Sequence, residues 1–180
     1  MKNNEKTGGE KEGYYSQATE MRDKLDAVSP SLCLAKWLQV SLQLTTGRTQ
    51  SCYHPKPHVI PQELLKENPA VLHNTPFKKE QRRKMLTGEK PAECNYCWDV
   101  EALGKDFLSD RSYRSSESWA SARFAEVSEN KWNKDIDPSY VEVNFNHTCQ
   151  FKCSYCSPHI SSAWMAEIKQ QGTYPTRYGH

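Results

Sequence analysis

Cys149, Cys153 and Cys156 fall within Asn146-His147-Thr148-Cys149-Gln150-Phe151-Lys152-Cys153-Ser154-Tyr155-Cys156, a C-x3-C-x2-C spacing that confines three thiols to eight residues. Thiolate sulfur is a soft ligand that selects zinc and iron–sulfur clusters over calcium or magnesium. Three thiolates this close in sequence can face one centre only if the backbone wraps around it, an entropic cost that metal binding would have to offset. A cluster of four irons ordinarily takes four cysteines, one per iron, whereas this loop offers three with no fourth nearby, which would leave one iron open. A zinc knuckle, or a set of buried structural cysteines, is the competing reading of the same residues.

The loop needs elements on both sides to hold it. Upstream, Val141, Val143 and Phe145 alternate with Glu142, Asn144 and Asn146, the pattern of a half-buried strand running into the loop. Downstream, serines at 161 and 162, a run of good helix formers and a terminal Gly172 predict a helix over 161–172.

Strand, three-cysteine loop and helix in this order, with Tyr155 immediately before the third cysteine, resemble the entry of the radical S-adenosylmethionine (radical SAM) superfamily. The resemblance implies that Cys149, Cys153 and Cys156 ligate a 4Fe-4S cluster whose fourth iron chelates S-adenosylmethionine, with Tyr155 part of the cofactor-binding loop. It also implies that the reduced cluster cleaves the sulfonium to give a 5'-deoxyadenosyl radical, which abstracts hydrogen from the substrate. His147 and His159 flank the loop and read as solvent-facing histidines rather than hydrogen-bonding partners of a cluster.

The other four cysteines form a second set. Val40, Leu42 and Leu44 alternate with Gln39, Ser41 and Gln43, predicting a strand with one buried face, and the turn at Gly47 makes a hairpin with Cys33 and Cys52 at its outer ends. Past a proline-rich loop and a short helix at 63–67, Thr75 as cap, Pro76 at the first position, a stripe of Phe77, Gln81 and Met85, and Gly88 as stop predict a helix that delivers Cys94 and Cys97. Four cysteines suffice for a closed site, and ligand type alone does not separate zinc from iron–sulfur. His54 and His58 lie near Cys52 but read as ordinary loop histidines, since four cysteines complete a shell. Cys33-Leu34-Ala35-Lys36-Trp37, the glycine turn before Cys52 and the run 85–98 resemble the twitch module, a shortened relative of the SPASM domain. The resemblance implies an auxiliary 4Fe-4S cluster on Cys33, Cys52, Cys94 and Cys97, in a module placed before the radical SAM core.

The expected fold is therefore an α+β twitch-like module, a β-hairpin plus helices, followed by the first βα unit of a partial, TIM-like α/β barrel. Residues 1–30 read as a disordered leader, 31–98 as the auxiliary module, 99–139 as a linker with short helices and no chemistry, and 140–180 as the start of the radical SAM core. Trp119, Phe124 and Trp132 read as packing residues. Only 36% of the 180 residues are apolar and the mean hydropathy is −0.88, a thin core that suggests metal staples, a disordered segment or an incomplete domain.

A net charge of +2 makes no electrostatic case for nucleic acid or membrane, and the basic run at 78–84 reads as the solvated face of a helix. An odd count of seven cysteines and the absence of an apolar leader point to a cytosolic protein that uses thiols as ligands. Only 24 residues follow Cys156, with no Gly-Gly-Glu stretch to hold the methionine amino group. The expectation is the N-terminal part of a longer radical SAM enzyme, inactive alone, whose substrate by analogy with twitch and SPASM proteins is a peptide. The alternative is a zinc-stapled binding module with two thiolate sites and no redox chemistry.

Overall fold

The structure, a computed structural model, describes residues 6–146, 148–158 and 160–173, with side chains from residue 13 onward. Its elements in chain order are α1 (Lys6–Val28), α2 (Leu34–Leu38), β1 (Gln39–Gln43), β2 (Arg48–Gln50), β3 (His58–Val59), α3 (Gln62–Glu67), α4 (Pro76–Leu86), α5 (Asn95–Ala102), α6 (Asp110–Ser116), α7 (Ser118–Ser121), α8 (Phe124–Glu129), β4 (Tyr140–Asn144) and α9 (Ser162–Gln171), with 3-10 turns at Pro69–Leu72 and Ala92–Cys94. The architecture is mixed α+β around a small open sheet of order β3-β2-β1-β4.

The stretch expected as a disordered leader contains α1. Ala18, Met21 and Leu25 recur at i, i+3 and i+7, one stripe of an otherwise polar helix, and all three are buried. The helix lies along α6, where Tyr14 stacks on Tyr113 with ring centroids 5.3 Å apart. Composition misled here because a narrow stripe suffices when a partner helix covers it.

Hairpin and turn match the expectation: β1 and β2 pair antiparallel with Leu42 opposite Thr49, and Gly47 turns the chain at φ +61°. The burial does not. Gln39, Val40, Ser41 and Leu42 are all buried, because β1 is an inner strand, paired on its other side in parallel with β4, Val40 opposite Val141. Ser41 Oγ donates to Glu142 Oε2 at 2.8 Å across that pair. In β4 the half-buried expectation also needs correction: Val143 packs against Val40, Leu42, Ile60 and Val71, while Val141 and Phe145 are exposed.

Helix α4 begins and ends as expected, with Thr75 Oγ1 accepting from Lys78 N–H at 3.1 Å and Gly88 in the left-handed region at φ +81°. Its buried face is Lys78, Gln81, Arg82 and Met85, one step round from the expected stripe. Phe77 is exposed and tilts against the His58 ring at 4.5 Å. Helix α9 follows its sequence signals, Ser161 Oγ accepting from Trp164 N–H and Gly172 closing the end at φ +81°, yet buries no residue.

The main core joins Met21 and Leu25 of α1, Leu34, Trp37 and Leu38 of α2, Met85, Cys94, Cys97 and Trp98, and Ala120, Val127 and Ile136 from the stretch expected as a linker. Trp119 and Phe124 pack against it, as their packing role requires. Among the described residues no helix is long and apolar enough to cross a membrane.

If α1 is part of this core, Leu25→Ala will lower unfolding stability by about 2–5 kcal/mol, while Leu103→Ala, at an exposed position, will change it by less than about 0.5 kcal/mol. Urea denaturation followed by tryptophan fluorescence reads both. Equal midpoints for the two variants would contradict the packing of α1.

Candidate metal centre

Cys33 precedes the first turn of α2, Cys52 follows β2, Cys94 ends a 3-10 turn, and Cys97 lies in the first turn of α5. These four cysteines, from three segments of the chain, line one cavity partly open to solvent. Local hydrogen bonds set each approach. Ser29 Oγ and Ser31 Oγ both donate to Met85 O, at 2.5 and 3.0 Å, which ties the segment before Cys33 to the end of α4. Leu34 N–H donates to Ser115 Oγ at 3.1 Å, and Trp98 Nε1 donates to Pro91 O at 2.8 Å across the C-x2-C turn.

Burial raises the pKa of all four thiols. Cys94 is pushed up to about 11 and Cys97 to about 12, by burial first; Cys33 adds to both, and Lys36 pulls Cys94 the other way. Cys33 is raised by burial and then by Cys52, and Cys52 by burial against the pull of Lys36. At neutral pH these groups are thiols, so ligation of a metal has to displace their protons.

Two buried cations border the cavity. Lys36 pairs with Glu93; burial works to lower its pKa, and the Glu93 carboxylate beside it holds it charged. Arg111 comes from the stretch expected to carry no chemistry. It is buried between Glu101 (Nε to Oε1, 2.8 Å) and Asp26 (Nη2 to Oδ1, 2.9 Å), and donates to Leu32 O at 3.1 Å. His54, expected as an ordinary loop histidine, lines the cavity, stacked on Tyr96 at 3.8 Å with Nε2 2.6 Å from Asp110 Oδ2. His58 sits on β3 with Nε2 2.8 Å from Thr75 Oγ1.

The basic run at 78–84 is not a solvated face throughout. Lys78 and Arg82 are buried on the same face of α4 as Met85. Arg82 donates to Asn74 Oδ1 at 2.8 Å and to Lys36 O at 3.2 Å, with its guanidinium 5.8 Å from the centre of the Trp37 ring. Lys78 Nζ donates to His73 Nδ1 at 2.9 Å, and His73 Nε2 donates to Trp37 O at 2.5 Å. Burial and then Lys78 depress His73 to about 2 and His58 to about 4; Lys78 itself is lowered by burial and by Arg82. The available signal was the i, i+4 spacing that puts Lys78 and Arg82 beside Gln81 and Met85.

The three-cysteine loop is a surface feature. Its ends are pinned by Ser162 Oγ donating to Cys149 O at 3.1 Å, Ser161 Oγ to Phe151 O at 2.9 Å and Trp164 Nε1 to Cys153 O at 3.1 Å, while Cys156 N–H donates to Cys153 O at 3.0 Å. Cys149, Cys153 and Cys156 are each partly buried. Tyr155 is 91% exposed, and its hydrogen bond with Cys153 pushes its pKa up. His147 and His159 lie outside the described residues.

Among the described residues no three of His, Cys, Asp or Glu are arranged to hold a metal ion. The four-cysteine cavity offers a donor set made only of thiols, and ligand type does not separate zinc from an iron–sulfur cluster. The two thiol sets sit at opposite ends of the β1/β4 pair, since β1 and β4 run parallel from the four-cysteine side toward the loop. Comparison with family models, curated proteins and solved structures finds no match to this chain.

His73 generates a pH prediction. Its folded pKa lies below its unfolded value of 6.5, so below pH 6.5 the unfolded chain binds a proton that the native state refuses, and stability is lost as pH falls. The loss from His73 is about 1.4 kcal/mol per pH unit, with a smaller, solvent-screened contribution from His58. Denaturation midpoints between pH 7 and 5 will fall, and His73→Gln will flatten the slope by about one proton. An unchanged slope in that variant would contradict the buried, neutral imidazole.

Proposed function

We propose that the chain is a radical SAM-type protein: Cys149, Cys153 and Cys156 hold a 4Fe-4S cluster that binds S-adenosylmethionine, and Cys33, Cys52, Cys94 and Cys97 hold an auxiliary 4Fe-4S cluster in a twitch-like module. The observation that carries it is that four cysteines, from three segments of the chain, line one cavity. The cluster is preferred to the zinc-stapled alternative on the resemblance of the two cysteine sets, since ligand type does not separate the two metals.

When bound and reduced, the loop's cluster supplies the electron that breaks the sulfonium C–S bond, releasing methionine and a 5'-deoxyadenosyl radical. The chain's own part is placement. Strand β4 delivers the loop, Ser161 and Ser162 at the start of α9 hold its backbone through the carbonyls of Cys149 and Phe151, and in this reading the exposed Tyr155 ring would cover a bound cofactor. In this reading the open edge of β4 is where further strands of a partial barrel would pair, and the exposed Val141 would be covered by them. The proposed substrate is a peptide and the proposed compartment the cytosol, where seven free thiols remain reduced.

Replacing Cys94 and Cys97 by Ala in the anaerobically reconstituted protein will remove about half the iron and sulfide, as expected for one of two four-iron clusters. S-adenosylmethionine added to the reduced variant will then change the EPR spectrum of the remaining cluster. A loaded loop cluster whose spectrum ignores S-adenosylmethionine would contradict the assignment of Cys149, Cys153 and Cys156.

A further inference from the structure

Lys36 lines the four-cysteine cavity and pairs with a carboxylate that is itself largely buried. Its side chain is 2% exposed, its ammonium pairs with Glu93, 13% exposed, and it lines the same cavity as Cys94. Helix α2 holds it there, three residues after Cys33, with its backbone carbonyl fixed by Arg82. A lysine is seldom buried this fully unless its charge is balanced. One carboxylate would balance it, and an ion pair alone would need no thiol. Lys36 nonetheless borders the cavity of the four cysteines, and Lys78, which donates to His73 Nδ1 at 2.9 Å, adds a second buried amine.

We infer that Lys36 and Glu93 form a charge-setting pair for the four-cysteine centre, in which the buried Lys36 ammonium, lining the same cavity as Cys94, offsets the negative charge of the ligated thiolates, and Glu93 limits that offset. This inference rests on the iron–sulfur reading of the centre. Hydrogen bonds and charge at the sulfurs set the reduction potential of such clusters. A cation beside the cluster favours the reduced state, which carries one more negative charge. The two residues therefore act on the potential in opposite directions, which a purely structural ion pair would not do.

The test uses the full chain carrying Cys149→Ala, Cys153→Ala and Cys156→Ala, so that only the four-cysteine centre can load, with anaerobic reconstitution, iron and sulfide analysis, and EPR-monitored redox titration. Lys36→Met will lower the midpoint potential by on the order of 59 mV, a tenfold change in the oxidised-to-reduced ratio at fixed potential. Glu93→Gln will raise it, and Lys36→Arg, which keeps the charge, will leave it near the parent value. If Lys36→Met fails to load, the opposite shift in Glu93→Gln and retention in Lys36→Arg still carry the inference. Loaded variants with unmoved potentials overturn it while leaving the iron–sulfur reading intact. A parent protein that takes up no iron and sulfide at these four cysteines overturns both.

Discussion

Lys36, Lys78, Arg82 and Arg111 are buried in the same region as four cysteines, and much of the fold is an answer to that charge. Taking one such ion out of water costs several kcal/mol even after relaxation, so each must meet compensating groups. Arg111 draws Asp26 from α1 and Glu101 from α5 onto α6, and its guanidinium lies 5.9 Å from the centre of the Trp98 ring. Arg82 takes amide and carbonyl oxygens and the face of Trp37. Lys36 takes Glu93. With few apolar residues in the chain, these polar contacts link segments that a larger hydrophobic core would otherwise hold.

The same contacts explain what the sequence hid. Arg111 looks like a surface residue between serines, and only the arrival of Asp26 from a distant helix makes its burial tolerable. Lys78 and Arg82 belong to a charge run whose usual fate is solvent, yet their helix turns that side toward Trp37 and His73. Local signals with their own hydrogen-bond chemistry were readable: the Thr75 cap, the Gly47 and Gly88 turns, and the Ser161 start of α9. Long-range pairing was not. Nothing in 39–43 or 140–144 announces that these strands lie side by side in parallel, and that pairing is what buries both faces of β1. The four-cysteine set was legible from ligand type and spacing, whereas its cationic border was not, because burial of a lysine depends on partners distant in sequence.

The β1/β4 pair relates the two thiol sets mechanically. β1 leaves the four-cysteine module and β4 enters the three-cysteine loop, held together over five residues from Gln39 and Tyr140 to Gln43 and Asn144. Those residues span about 16 Å of strand, which keeps the two sets well apart while fixing one relative to the other. Tyr140 strengthens the near end of this link, with its hydroxyl 3.1 Å from that of Tyr53, a residue lining the four-cysteine cavity.

The central claim is that both thiol sets serve iron–sulfur clusters. Anaerobic purification of the intact chain, with visible absorption and elemental analysis for iron, acid-labile sulfide and zinc, tests it most directly. The account predicts a brown protein with broad absorption, iron and sulfide in equal amounts, and zinc well below one per chain. Stoichiometric zinc with no acid-labile sulfide, unchanged by anaerobic reconstitution with iron and sulfide, would contradict it.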